Sequence, residues 1–273
     1  VTYLYFYAPN IQDVVTGTQS NFETSGGFGP NQVSTILGLG IFIFFVQLML
    51  NSTNGILQII NGGLVLFFAY RGLITFSRGG IYTGVAMILL LLAILYFQAN
   101  FQTKPKIAGI IVLSFLATLA VWSYSSIKTN GLLDKRYANQ DAAGREKKSQ
   151  LSGREILIES ELKMFYENPI LGVGVGKNKE LRKSQTGIDL ATHNEITRML
   201  AEHGTLGIVG LLILLITPLY LFAVDRQNIL ALSFFVFWLL TINHAAMRLS
   251  APAFIYALSL LKVYREAPAV HRK

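Results

Sequence analysis

Residues 81–98 read IYTGVAMILLLLAILYFQ, eighteen residues without a charge, directly behind the turn Ser77-Arg78-Gly79-Gly80. A run of this length and polarity approaches the ~20 apolar residues that a helix needs to cross a bilayer. Further apolar blocks lie on either side of it, at residues 33–50, 56–75, 107–127, 205–224, 229–246 and 251–264. The last is short for a full span and reads as tilted or interfacial. The expected fold is all-α, a polytopic membrane helix bundle of about seven transmembrane helices, forming a single membrane domain over residues 1–273. The opening residues TYLYFYAP look like the outer end of a helix already under way. The chain is therefore expected to be the C-terminal part of a longer protein.

Composition points the same way. Hydrophobic residues make up 52% of the 273 residues and charged residues 14%, against roughly 25% charged in an ordinary soluble domain. The mean hydropathy is +0.47. The absence of cysteine removes disulfides, iron–sulfur clusters, thiolate zinc sites and cysteine nucleophiles. The net charge of +8 is unevenly spread: residues 128–204 hold 13 of the 23 basic and 11 of the 15 acidic side chains. This near balance, with no RNA-binding or helix-turn-helix signature, argues against nucleic acid as a partner. The basic residues of the short connections, Lys104, Lys106, Arg226 and Lys262, fall on one side of an alternating bundle. The positive-inside bias makes that side cytoplasmic. The 128–204 loop, the Ser77–Gly80 turn and the Gly-rich segment 21–31 then share the outer face, which in a bacterium is the periplasm or cell exterior. Arg78 stands there against the bias, and a charge so placed at the membrane edge is a functional candidate.

The outer loop has its own pattern. Ser152-Gly153-Arg154-Glu155 has the form of a capping box, followed by Ile158, Leu162 and Phe165 at the spacing of an amphipathic helix. Asn168-Pro169 ends that helix. The glycines of residues 172–176 read as a flexible run. Thr192-His193-Asn194-Glu195 forms a second box, opening a helix with Ile196, Met199 and Leu200 on its apolar face and Gly204 at its end.

In that reading His193 sits in a first helical turn, where the positive dipole end favours a neutral imidazole, the form a general base needs. Arg154, near the other helix start, suits an anion, because a guanidinium fork matches phosphate oxygens and stays charged. Arg78 gains from Gly79 and Gly80, which permit close backbone approach. Arg71 lies two turns earlier in apolar surroundings and is more plausibly structural, near Tyr70 and Asn61. Residues 171–178 miss the phosphate-loop pattern, and the alternating glycines miss the dinucleotide fingerprint. His193, Glu195 and Asp189 make a poor metal set with a single histidine, so no metal and no cofactor is expected.

The order of these features resembles the O-antigen ligase and polymerase superfamily: the Ser-Arg-Gly turn, the long loop with Ser-Gly-Arg, N-P-x-x-G-x-G at 168–174, and H-N-x(7)-E-x-G-x-x-G at 193–207. The resemblance implies a GT-C-like membrane glycosyltransferase, metal-independent and inverting, with 128–204 as a periplasmic catalytic loop. Its donor would be a glycan on undecaprenyl diphosphate. Its acceptor would be a glycan or lipid A-core hydroxyl, in ligation or in repeat-unit polymerisation. The resemblance assigns diphosphate binding to Arg78 and Arg154 and acceptor activation to His193, with Arg71, Asn194 and Glu202 as supporting candidates. The opposing reading is a non-enzymatic transporter or flippase of an anionic lipid-linked glycan, which needs the arginines but no base at His193.

Overall fold

The computed structural model describes residues 10–147, 154–244 and 249–263, and their regular structure is helical apart from one isolated bridge between Gln140 and Glu146. In chain order the helices are α1 (Ile11–Val14), α2 (Pro30–Val46, extended by a π turn to Asn51), α3 (Gly55–Leu73), α4 (Arg78–Gln98), α5 (Lys104–Lys128), α6 (Leu132–Tyr137), α7 (Glu155–Glu167), α8 (Lys177–Thr186), α9 (Glu195–Val224), α10 (Ala231–His244) and α11 (Ala251–Ser259). Five of them, α2 with its extension, α3, α4, α5 and α9, are long and apolar enough to cross a membrane, so this is a multi-pass membrane protein. The count of seven resolves into these five plus two shorter helices. The 229–246 block loses its first residues to a turn in which Leu230 N donates to Asn228 Oδ1 at 3.2 Å, and α11 has only nine residues.

The centre of the bundle is the crossing of α2 and α4. Ser34 and Gly38 on one helix face Gly80 and Gly84 on the other, each pair four residues apart. A methyl group at Gly38 would lie 2.0 Å from the Gly80 carbonyl oxygen, and one at Gly80 would lie 2.1 Å from the Ser34 carbonyl. Small residues at this spacing let two helix backbones touch, which is how helices associate in lipid without a hydrophobic drive between them. Deeper in the bundle Phe42, Met87, Leu91 and Phe237 form one buried cluster across α2, α4 and α10, and Ser233 Oγ donates to Met87 O at 3.0 Å. On the other side α5 turns Val112, Leu113, Phe115 and Leu116 outward, and only 6% of its most apolar stretch is buried. Exposed aliphatic surface of that kind matches a lipid-facing helix.

The chain reverses at each span, so the Ser77–Arg78 turn, the loop between α5 and α9 and the end of α10 meet on one face. On the opposite face Asn228 Nδ2 donates to Leu261 O at 3.0 Å, which brings Arg226 and Lys262 to the same end. The loop is shorter than the polar stretch suggested, because α5 runs to Lys128 and α9 starts at Glu195. Helix α7 caps on Arg154, and Ser152 lies outside the described residues. The buried stripe of α7 is Leu157, Ser160, Glu161 and Met164, one position away from the expected Ile158, Leu162 and Phe165, because a carboxylate occupies its centre. The α9 cap is Asn194, whose side chain accepts from Ile196 N at 2.9 Å and Thr197 N at 3.3 Å, in place of Thr192. Gly204 does leave helical geometry (φ 58°, ψ −134°), although hydrogen bonding continues to Val224.

The glycine run is not a flexible linker. Val173 N donates to Ala201 O at 2.8 Å, Gly174 N to Glu202 O at 3.1 Å and Thr205 N to Pro169 O at 2.8 Å. A methyl group at Gly172 would lie 2.5 Å from the Glu202 carbonyl carbon, and one at Gly204 2.6 Å from Ile170 O. Both residues also have positive φ, at +67° and +58°, which a side chain disfavours. Gly172 and Gly204, 32 residues apart in sequence, are thus the two halves of one backbone contact at the break in α9.

Candidate active site

The site begins at a strained turn. Phe76 is wholly buried with φ +58°, a left-handed conformation that is an outlier for a bulky residue and needs surrounding structure to hold it. Three contacts supply that support. Arg136 Nε donates to Phe76 O at 2.9 Å, Ser34 Oγ donates to Ser77 O at 2.8 Å, and Ser77 Oγ donates to Asn31 Oδ1 at 2.7 Å. The next residue is Arg78, which opens α4 and sends Nη1 to Arg136 O at 3.5 Å. Sequence reading singled out Arg78 but missed Arg136. Its signal is weak, a basic residue at the end of the six-residue helix α6, and only the fold turns it inward.

Arg154 reaches the same place from the loop. Its Nη1 donates to the His244 carbonyl at 3.2 Å, and Gly79 lies so close to the His244 ring that a methyl group there would be 2.4 Å from Cδ2. His244 Nδ1 lies 2.8 Å from Leu240 O; a carbonyl only accepts, so Nδ1 carries the proton, and Nε2 faces Thr35 Oγ1 at 3.2 Å. Arg78, Arg136 and Arg154 therefore converge around one turn and one helix end. Burial, then the field of Arg78, with Arg154 adding to it, holds the Arg136 guanidinium down at about 10, still fully charged near neutral pH. Lys147 is lowered by burial first and then by Arg136 and Arg78. Like charges gathered this closely and partly desolvated favour an anion between them.

The remaining candidates divide. His193 is half-buried and stands one residue ahead of the Asn194 cap, outside the first helical turn where the sequence had placed it. The turn that follows carries Ile196, which packs on the Phe235, Trp238 and Ile242 cluster of α10, the helix that ends at His244. Asn194 is the helix cap, a positioning role. Glu202 is buried beside Arg198 Nε at 3.8 Å, with Glu195 Oε2 at 3.0 Å from the same nitrogen. Arg71 is not brought to the arginines: its Nη2 donates to Thr24 O at 3.2 Å, and Asn61 bonds Ser52 near the other end of α3. Asp189 pairs with Lys179 and Lys183 at 2.9 and 2.8 Å, and their hydrogen bonds hold its carboxyl at about 2.

A buried network fixes the loop that carries His193. Glu161 and Arg182 are both fully buried and 3.1 Å apart. Glu161 Oε1 also accepts from Asn178 Nδ2 at 3.3 Å, and Oε2 from Thr197 Oγ1 at 2.5 Å. Arg182 Nη2 donates to Leu190 O. One carboxylate thus ties α7, α8, α9 and the 187–194 segment together. A buried charge is tolerated when it is paired and hydrogen-bonded in this way, although Arg182 Nε has no partner among the described residues.

A multi-pass bundle with a long helical loop and a convergent set of arginines at one end of its spans is the class of protein defined here. The family model described as O-antigen ligase matches residues 63–214, more than half of the chain, and the chain belongs to that family. The match runs from α3 into α9 and includes Arg78, Arg136, Arg154, Glu161, His193 and both glycine motifs. No curated protein and no solved structure matches the chain.

Proposed function

We propose that this protein transfers a glycan from undecaprenyl diphosphate to an acceptor hydroxyl on the periplasmic side of the bacterial inner membrane. The observation that supports this most is the convergence of Arg78, Arg136 and Arg154 at the membrane edge. A polyprenyl diphosphate presents its charge at that depth, with its lipid in the bilayer and its glycan in the water. As the C1–O bond breaks, its electron pair leaves with the diphosphate, and positioned guanidinium groups stabilise the charge that develops. His193 takes the proton of the acceptor hydroxyl, whose oxygen attacks C1 from the face opposite the leaving group, so the anomeric centre inverts. The mechanism requires no metal. Ligation to a lipid A core and polymerisation of repeat units use the same groups; they differ only in the acceptor.

The test is transfer by purified full-length protein from lipid-linked donor to acceptor in excess chelator. Retained activity fits the metal-free mechanism, and activity restored only by a divalent ion contradicts it. A product of single addition identifies a ligase, and a ladder identifies a polymerase.

A further inference from the structure

Beside the arginines an open polar cleft of about 500 Å³ lies between residues 14–23 and the 141–147 turn, within the roughly 300–1,000 Å³ of small-molecule sites. Its walls connect to the cation cluster. Arg136 Nη2 donates to Ser20 Oγ at 3.4 Å, Lys147 Nζ donates to Thr18 Oγ1 at 2.7 Å, and that hydroxyl donates to Gln140 O at 2.8 Å. These groups are committed to holding the walls together. Gln19 and Glu23, which also line the cleft, are exposed. Their side chains make no hydrogen bond among the described residues, so an amide and a carboxylate are available to a ligand. Between them in sequence Phe22 lines the same cleft with 61% of its surface exposed, an uncovered ring in an otherwise polar loop.

This combination suits a sugar. Amide and carboxylate groups accept and donate in fixed planes to neighbouring hydroxyls, while a ring face takes the apolar C–H side of a pyranose. It does not suit a second phosphate, because Glu23 and Asp141 oppose Lys147 within the cleft and the clustered arginines lie beyond it around Arg136. Residues 14–23 also lie outside the region shared with the family, 63–214, as fits a segment reading the variable part of a substrate beside a common anion site. We infer that this cleft binds the carbohydrate chain of the lipid-linked donor or of the acceptor, with Gln19, Phe22 and Glu23 as its specificity-determining contacts. The inference rests on glycan transfer as the activity.

The test uses full-length protein in nanodiscs and two probes. One is the phosphate-free oligosaccharide released by mild acid from the host's undecaprenyl-diphosphate-linked glycan; the other is the host's acceptor glycan freed of lipid. Binding is compared between wild type, Phe22→Ala and the double variant Gln19→Ala/Glu23→Ala. All three side chains are exposed, so the variants are expected to keep the wild-type thermal midpoint. At least fivefold weaker binding of the first probe assigns the donor glycan to the cleft, and of the second probe the acceptor glycan. Equal binding of both probes by wild type and variants overturns the inference, as does a wild type that binds neither. Transfer measured on the same samples separates the two claims. A wild type that transfers nothing yet binds sugar through these residues contradicts glycan transfer alone, and variants with unchanged binding and transfer contradict the cleft alone.

Discussion

Arg136 Nε donates to the carbonyl of Phe76 at 2.9 Å, sixty residues earlier in the chain. That bond holds the left-handed turn from which Arg78 departs, while Arg78 returns a contact to the Arg136 carbonyl. The two arginines thus fix each other's backbone, and a pair that would repel as bare charges is held together by main-chain acceptors.

Arg136→Met removes the main donor to a buried carbonyl, a loss of about 1–3 kcal/mol. The variant is expected to show a lower thermal midpoint in detergent and at least a tenfold fall in transfer. Arg136→Lys keeps the charge but not the fork geometry and should recover little of either. Full activity in Arg136→Met would remove this residue from the site.

Gly172→Ala and Gly204→Ala each force a methyl group against backbone under 3 Å away in a positive-φ position. Gly187→Ala has φ +72° but open space around it, leaving only the left-handed penalty of about 1–2 kcal/mol. The first two should raise protease sensitivity of the 168–194 segment well above the third; equal sensitivity in all three would contradict the paired-glycine contact.

Much of this architecture is legible in sequence because apolar length reports membrane crossing directly, and the blocks at 33–50, 56–75, 81–98, 107–127 and 205–224 all became long helices. Arg78 stood out in sequence because it sits at a glycine turn against the positive-inside bias, whereas Arg154 at a helix start resembles any surface arginine and was singled out through the family resemblance; the fold brings both toward Arg136. Arg136, Glu161 and Arg182 were not legible. A charged residue in a polar loop carries no local sign of burial, and only the packing of α6, α7 and α8 turns these three inward. The helix position of His193 was misread, since Thr192 and Asn194 are both acceptable caps and the sequence favoured the one with Glu three residues on.

Breaking the buried Glu161–Arg182 pair from one side leaves an uncompensated charge, with an expected cost of about 3–5 kcal/mol. Glu161→Leu and Arg182→Met should each destabilise strongly, and the double variant by less than their sum. Additive thermal shifts across that cycle would contradict the network.

Inorganic pyrophosphate should stabilise the wild type by mass action and have a smaller effect on Arg78→Ala or Arg154→Ala. Burial holds Arg136 at about 10, below its ordinary value, so the unfolded chain binds more protons only above about pH 10. Its contribution to stability is therefore level below about pH 10 and rises above it. Arg136 therefore adds no pH dependence to the pyrophosphate effect from pH 6.5 to 8.5, where the effect should follow only the ionisation of pyrophosphate itself; a steeper change in that window would show that the anion site depends on another group of the protein.

The most direct test of glycan transfer is complementation by the full-length protein carrying His193→Ala, Arg78→Ala or Arg154→Ala at matched expression. Each variant is predicted to lose long-chain surface glycan while the lipid-linked donor accumulates; normal surface glycan with His193→Ala would contradict the catalytic assignment.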